Sequence, residues 1–286
     1  MRLASLWNRL FRRRPRLARF VTRTYVNGAG RRKYKIYVPS AYDGQALPLV
    51  VMLHGCKQTP DDFAAGTRMN ELAEALGFLV AYPAQSAMAN VQRCWNWFKP
   101  ANQQRDAGEP SVIAGITRKV IARYNVDTRR VYVAGLSAGG AMAAIMAQTY
   151  PDLFAGAGIH SGLAYASATD AYSAVSAMRG HARGEAAALP VPTIVFHGDH
   201  DSTVHHSNGE KVIAMLEKAL VQTGEAAGRA YTRTVLQSEK GKGMEHWLVH
   251  GAGHAWFGGN PRGSFADPQG PDATREMLRF FKIAAA

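Results

Sequence analysis

Cysteine is scarce in this chain, two in 286 residues, so it is not a small scaffold held together by disulfides. No run of about 18 apolar residues occurs, so no segment reads as a membrane-crossing helix. No motif recurs at a period of tens of residues, which removes solenoids and other repeat architectures. Acidic residues are absent from the first 35 positions, where 12 of the 34 Lys and Arg are gathered. The other 251 residues carry 22 bases against 21 acids, so the formal charge of +13 belongs to a leader and the body is electrostatically balanced. A nucleic-acid-binding face needs charge clustered on the fold itself, and that reading loses its support. What is present is 47% hydrophobic residues with 28 Gly and 13 Pro, the make-up of one globular unit with a sizeable core.

Residues 1–33 read as a basic leader, flexible or amphipathic, and 34–286 as one folded domain. Arg2, Arg9, Arg12, Arg13, Arg14, Arg16, Arg19 and Arg23 interrupt every apolar stretch of the leader, so it has no h-region of a secretory signal. Leu3, Leu6, Trp7, Leu10 and Phe11 fall at helical spacing, a pattern suited to an anionic surface. A solvated arm, or a start codon assigned too far upstream, accounts for the same residues.

From residue 34 apolar runs alternate with helical stretches, which predicts a mostly parallel sheet with helices on both faces. The expected strands are Tyr34–Val38, Leu47–Leu53, Phe78–Tyr82, Val131–Ala134, Gly156–His160, Thr193–His197 and Trp247–His250. Ser111 is the expected cap of a helix presenting Ile113, Ile116, Val120 and Tyr124 and ending at Asn125. Met69, Leu72 and Leu76 form a shorter stripe closed by Gly77. A last helix opens at Pro271–Asp272 and carries Met277, Phe280 and Phe281. Residues 161–190, rich in Ala, Ser and Gly, read as a small insertion, either a cap or a plain crossover helix with loose ends.

The chemistry concentrates in Gly135-Leu136-Ser137-Ala138-Gly139, a G-x-S-x-G between a buried strand and a helix-prone segment. That context is the one a nucleophile elbow requires, with the glycines where side chains would collide and the serine raised above the sheet. Serine needs a base and an orienting acid, expected in the order acid then histidine after later strands. Asp199 and Asp201 follow Thr193–His197, and His254 follows Trp247–His250. Asp201 is preferred as the acid because Asp199 is suited to shaping its turn. His254 is preferred as the base because its Gly-rich loop can reach Ser137, whereas His250 lies within the strand. His54 and His197 precede Gly at strand ends and read as structural. His200, His205 and His206 lack a further spaced ligand, so no metal site is assigned. Ala138 N–H and Cys56 N–H are the candidate oxyanion donors.

His54-Gly55-Cys56, Cys94-Trp95-Asn96-Trp97-Phe98, Gly135–Gly139, Asp201 with Val204, and Gly253-His254-Ala255-Trp256 together resemble the poly(3-hydroxybutyrate) depolymerase family of esterases. Its relatives include feruloyl and acetylxylan esterases. The resemblance covers roughly residues 34–282. It implies an α/β-hydrolase fold, a Ser137–Asp201–His254 triad, no cofactor and cleavage of carboxylic esters. It also implies that Cys56 and Cys94 pair, although in a reducing compartment they would stay thiols packed as small apolar residues. By the same analogy Trp95, Trp97, Phe98 and Trp256 bed a repeating ester or a phenolic acyl group, with at least one of them merely roofing the sheet.

The expected substrate is a short-chain polyhydroxyalkanoate or related polyester. A feruloyl or acetylxylan esterase, or a general short-chain carboxylesterase, is the alternative within the enzyme class. Outside that class stands a surface-binding protein with an idle hydrolase body. No obligate protein partner and no nucleic acid is implied. The leader is expected to touch an anionic membrane or a polymer granule, and a cytoplasmic or granule-associated placement is favoured over a secreted one.

Overall fold

The computed structural model describes residues 16–182, 189–213, 219–237 and 243–284. Alternation of side chains along β3 (Leu47–Leu53) shows how the chain is layered. Leu49, Val51 and Leu53 enter one core, while Val50 and Met52 enter another on the opposite face. All seven residues of the strand are buried, as a strand covered on both sides must be. The sheet has ten strands in the order β1 (Arg19–Asn27), β2 (Gly30–Val38), β4 (Leu79–Pro83), β3, β5 (Val126–Leu136), β6 (Gly156–His160), β7 (Thr193–Gly198), β10 (Gly243–Val249), β9 (Arg229–Gln237) and β8 (Ala219–Ala226). The run from β4 to β10 is parallel, and antiparallel strands flank it on both sides. A separate pair is formed by β11 (Trp256–Phe257) and β12 (Ala266–Asp267).

Helices α3 (Gly108–Arg123) and α4 (Ala138–Thr149) supply the first core, with Ile113, Ile116, Met142 and Ile145. Helices α1 (Pro60–Thr67), α2 (Met69–Leu76) and α7 (Ala273–Phe280) supply the second, with Phe63, Met69, Leu72 and Met277. Every residue of α4 from Ala138 to Ala147 is buried, so this helix is wrapped on all sides and cannot shift without disturbing the core.

The expected strands recur, most of them with moved ends, and the ten-stranded sheet holds three further strands besides the separate β11–β12 pair. β1, β8 and β9 are antiparallel, β1 and β8 largely exposed and β9 largely half-buried, with polar residues between their apolar ones. Such strands carry no buried Val/Ile/Leu run to announce them. The boundary at residue 33 is corrected for this reason: residues 19–33 are not leader but the first hairpin of the sheet. Phe20 fixes that hairpin by packing edge-on against Tyr82 at 5.5 Å. The amphipathic stretch Leu3–Phe11 lies outside the described residues.

Ser111 is not a cap: α3 begins a turn earlier, after Ala107, and the Ser111 hydroxyl donates back to Gly108 O at 2.8 Å. Asp272 does cap α7, accepting from Arg275 N at 3.0 Å. The stretch 161–190 is the crossover between parallel neighbours β6 and β7. It contains a short helix, α5 (Ala171–Ser176), started by a reciprocal Asp170–Ser173 capping box. Residues 183–188 of it lie outside the described residues.

Candidate active site

Because β5, β7 and β10 are parallel, the segments leaving their C-terminal ends all emerge on one edge of the sheet. Ser137 sits between β5 and α4 with φ 58° and ψ −121°, a left-handed geometry that costs a non-glycine residue on the order of 1–3 kcal/mol. A Cβ at Gly139 would stand 2.0 Å from Leu53 O, and one at Gly135 2.3 Å from Gly139 O, so the elbow closes with glycine alone at both places. Its pitch is set by Ser137 N–H donating to His160 O at 2.8 Å.

Asp201 is buried in the turn after β7. Its Oδ1 accepts from Thr203 N at 2.9 Å and Val204 N at 2.8 Å, and its Oδ2 lies 2.7 Å from His254 Nδ1. Burial by itself raises this carboxyl's pKa. The imidazoles of His197 and His254 and the Val204 N–H outweigh it and hold Asp201 well below the usual carboxylate range. Asp201 is therefore an anion that orients His254 and does not compete for its proton. Ser137 Oγ and His254 Nε2 share the edge, with no hydrogen bond between them among the described residues. Such bonds are often loose until substrate closes the site.

A second pair stands nearby. Asp199 Oδ2 is 2.8 Å from His250 Nδ1, and its Oδ1 accepts from Gly251 N at 2.7 Å. His250 lies just past the end of β10, with Nε2 taken up by Thr232 Oγ1 of β9 at 2.9 Å. This pair ties the ends of β7 and β10 to β9. His205 and His206 turn to Ser207 Oγ and Glu210 Oε1. Among the described residues no group of three or more His, Cys, Asp or Glu is arranged to hold a metal ion.

Two backbone donors remain open at this edge. Neither Ala138 N–H, at the first position of α4, nor Cys56 N–H is hydrogen bonded among the described residues. The Cys56 loop is held from three sides. Gln58 Oε1 accepts from Gly55 N at 2.9 Å while its Nε2 donates to Ser264 O at 2.8 Å. Lys57 N donates to Gln92 O at 2.6 Å. A disulfide joins Cys56 to Cys94 across 38 positions. Closing a loop of that length stabilises a fold by about 4 kcal/mol in the chain-entropy account. Cys56→Ser/Cys94→Ser is therefore expected to lower the urea midpoint by that equivalent. It should also reduce kcat about tenfold, since the Cys56 N–H persists and only its placement loosens. An unchanged kcat in the folded double variant would show that the loop holds its shape without the bond.

The aromatic expectation needs correction. Trp95 is fully enclosed, 0% exposed, with Nε1 donating to His54 O at 3.1 Å, and Trp256 is 1% exposed with Nε1 donating to Thr274 Oγ1 at 3.0 Å. Trp97 is also buried and meets the half-buried Phe98 edge-on at 5.7 Å. The tryptophans are struts beneath the loops, because a large ring with one N–H is satisfied better by a single internal acceptor than by water. Phe265, 42% exposed, stands edge-on to the His254 ring at 6.4 Å. It sits in a polar loop with no periodicity to mark it. Glu109 was likewise hidden in sequence: a buried carboxylate accepting from Asn96 N and Nδ2, both at 2.7 Å, and so anchoring the Trp95–Trp97 loop.

His160, a strand end in the sequence, touches both the Ser137 elbow and the segment that follows His254. Its carbonyl holds Ser137 N, and its ring Nε2 accepts from Phe257 N at 3.2 Å on the segment following His254. The ring stacks on Trp256 at 4.9 Å, and burial keeps it neutral by lowering its pKa well below the ordinary value. His54 is held near 4 and His246 near 3, both chiefly by burial. An imidazole with a depressed folded pKa takes its proton more readily in the unfolded chain. Stability should thus fall on acidification from pH 6.5 toward pH 4, by roughly 3 kcal/mol for each of these two groups. Carboxylates held low, Asp201 among them, add their loss only at still lower pH. Equal urea midpoints at pH 7.5 and pH 4.5 would contradict this.

The sequence profile of the esterase PHB depolymerase family matches residues 32–235. The chain belongs to that family. A poly(3-hydroxyalkanoate) depolymerase C from Paucimonas lemoignei is 34% identical over 237 residues, covering 76% of this chain and 57% of that protein. A feruloyl esterase B from Neurospora crassa is 40% identical over 127 residues, covering 44% of this chain and 42% of the relative. The chain thus spans about half the length of the curated relatives it matches. An acetyl xylan esterase from Aspergillus awamori superposes with a TM-score of 0.72 at 21% identity, covering 92% of this chain and all of that one, which places the α/β-hydrolase fold.

Proposed function

We propose that this member of the PHB depolymerase esterases is a serine carboxylic-ester hydrolase acting on short-chain polyhydroxyalkanoate or related oligoester bonds through an acyl-enzyme on Ser137. The observation that carries the reading is the buried Asp201 anion, 2.7 Å from His254 Nδ1, on the sheet edge where the strained elbow presents Ser137.

His254 takes the Ser137 proton as Oγ attacks the ester carbonyl, and Asp201 holds the imidazole in the tautomer whose Nε2 can accept. The oxyanion that forms is met by Ala138 N–H, at the positive end of α4, and Cys56 N–H; one such donor contributes about 3–4 kcal/mol. His254 then returns its proton to the leaving alcohol, and a water activated by the same ring releases the acid. No step calls for a cofactor.

The polyester substrate is favoured by the relative matching the larger share of this chain. The similarity to a feruloyl esterase makes ferulate the alternative acyl group. The disulfide on the oxyanion loop weighs toward an oxidising compartment and against a cytoplasmic one. Full-length protein and Ser137→Ala, assayed on p-nitrophenyl butyrate, amorphous polyhydroxybutyrate and methyl ferulate, test the reading. Ser137-dependent release of hydroxyacids from the polymer supports it. Ferulate release without polymer hydrolysis transfers the enzyme to the alternative.

A further inference from the structure

Beside Asp201 lies a second imidazole. His197, at the end of β7 and fully enclosed, places Nε2 2.8 Å from Val204 O and 3.5 Å from Asp201 Oδ2. A carbonyl can only accept, so Nε2 carries the proton and faces the carboxylate oxygen that also meets His254. Nδ1, on the other side of the ring, is one of the buried atoms with no hydrogen-bond partner among the described residues.

The atom that answers it stands across a small gap. His246 Nε2, on β10, is likewise buried and without a partner among the described residues. Between the two rings passes α6 (Ser207–Ile213), with glycine at position 209. A Cβ there would lie 2.9 Å from His197 Nδ1 and 3.1 Å from His246 Nε2. Both nitrogens therefore border the same space, kept open by the missing side chain. Buried polar atoms almost always find partners. Two nitrogens at 2.9 and 3.1 Å from one point are close enough for a single water to bridge them. The groups facing this line are Asp201 from the turn after β7, His254 from the loop after β10, His160 from β6 and His206 beside α6.

We infer that His197 and His246 are positioning residues for the triad acid, forming a hydrogen-bonded line His246–His197–Asp201–His254 that fixes the carboxylate's orientation and keeps it a weak base. The inference rests on the hydrolase reading above. Neither ring touches substrate. The His197 Nε2–H, given to Val204 O at 2.8 Å, also lies 3.5 Å from Asp201 Oδ2 and its positive end draws charge from the carboxylate, so losing it makes Asp201 more basic. The Asp201–His254 pair then takes up a proton more readily, and the low-pH limb of kcat/KM moves to higher pH.

The test measures kcat and KM for p-nitrophenyl butyrate from pH 5 to 9 with full-length wild type, His197→Leu, His197→Gln, His246→Leu and Ser137→Ala, alongside thermal melts. Folded His197→Leu should lose about tenfold or more in kcat with KM within about twofold, and its low-pH limb should rise by about half a pH unit or more. His197→Gln, whose amide N–H can reach Val204 O, should recover most of the rate. His246→Leu touches neither Asp201 nor Val204, and should move the limb the same way by less; it carries the test alone if His197→Leu does not fold. A limb unmoved in the folded variants of an enzyme that depends on Ser137 overturns this inference alone. Full activity in Ser137→Ala overturns the hydrolase reading and this inference with it.

Discussion

Ser137→Ala is expected to lower kcat/KM on a soluble ester by about 10⁶ while leaving the melting temperature nearly unchanged. The rate falls because the hydroxyl is the atom that would carry the acyl group, and no neighbouring side chain can replace it. What survives, about 10³–10⁴ over water, is what the oxyanion donors and substrate binding supply without a nucleophile. Stability holds because the elbow is secured by backbone: Ser137 N–H on His160 O and the close packing of Gly135 and Gly139 against Leu53 O and Gly139 O. Alanine inherits the same left-handed φ of 58° and the same strain. The check pairs a purified mutant's turnover with its melt. A folded protein retaining a tenth of the wild-type rate would remove Ser137 from the mechanism.

Asp201→Asn is expected to reduce kcat by about 10⁴, a loss of tautomer control more than of structure. The amide oxygen of asparagine can keep both backbone donors, Thr203 N and Val204 N, so the turn after β7 survives. Its NH₂ group is then presented to His254 Nδ1, which must become the acceptor. The ring's proton moves to Nε2, the nitrogen that should receive hydrogen from Ser137. Asp199→Asn is the control. Asp199 pairs with His250, whose far nitrogen is occupied by Thr232, so that substitution should leave kcat within a few-fold of wild type. If the two variants were equally active, Asp201 would not be the acid; if Asp199→Asn carried the large loss, the roles of the two pairs would be exchanged.

The contrast between those aspartates shows where sequence reading stops. Both lie in the loop between β7 and α6, and local turn chemistry favours Asp201 over Asp199 without fixing the partner of either. The partner depends on which glycine-rich turn after β10 folds back over β7, a contact separated by 53 positions for Asp201 and His254. His197 illustrates the same limit from the other side. As a residue before glycine at a strand end it reads as structural, and its ring does hold Val204 O. Its nearness to Asp201 and the shared gap at Gly209 emerge once β7, β10 and α6 are packed together.

By itself the sequence determined the parallel centre of the sheet, since strands buried on both faces must be unbroken apolar runs, and Leu47–Leu53 could be little else. It also determined the elbow, since G-x-S-x-G between a buried strand and a helix is written into five consecutive residues, while the crowding that demands glycine at 139 comes from Leu53 O of the neighbouring strand β3. The tertiary structure alone decided the rest. It drew residues 19–33 into the sheet, because a half-exposed antiparallel strand gains its stability from the neighbour it pairs with and not from its own composition. It enclosed Trp95 and Trp256 and left Phe265 exposed beside the His254 ring, because burial is a property of what packs on top of a ring, and a loop's sequence does not say which way the loop will fold.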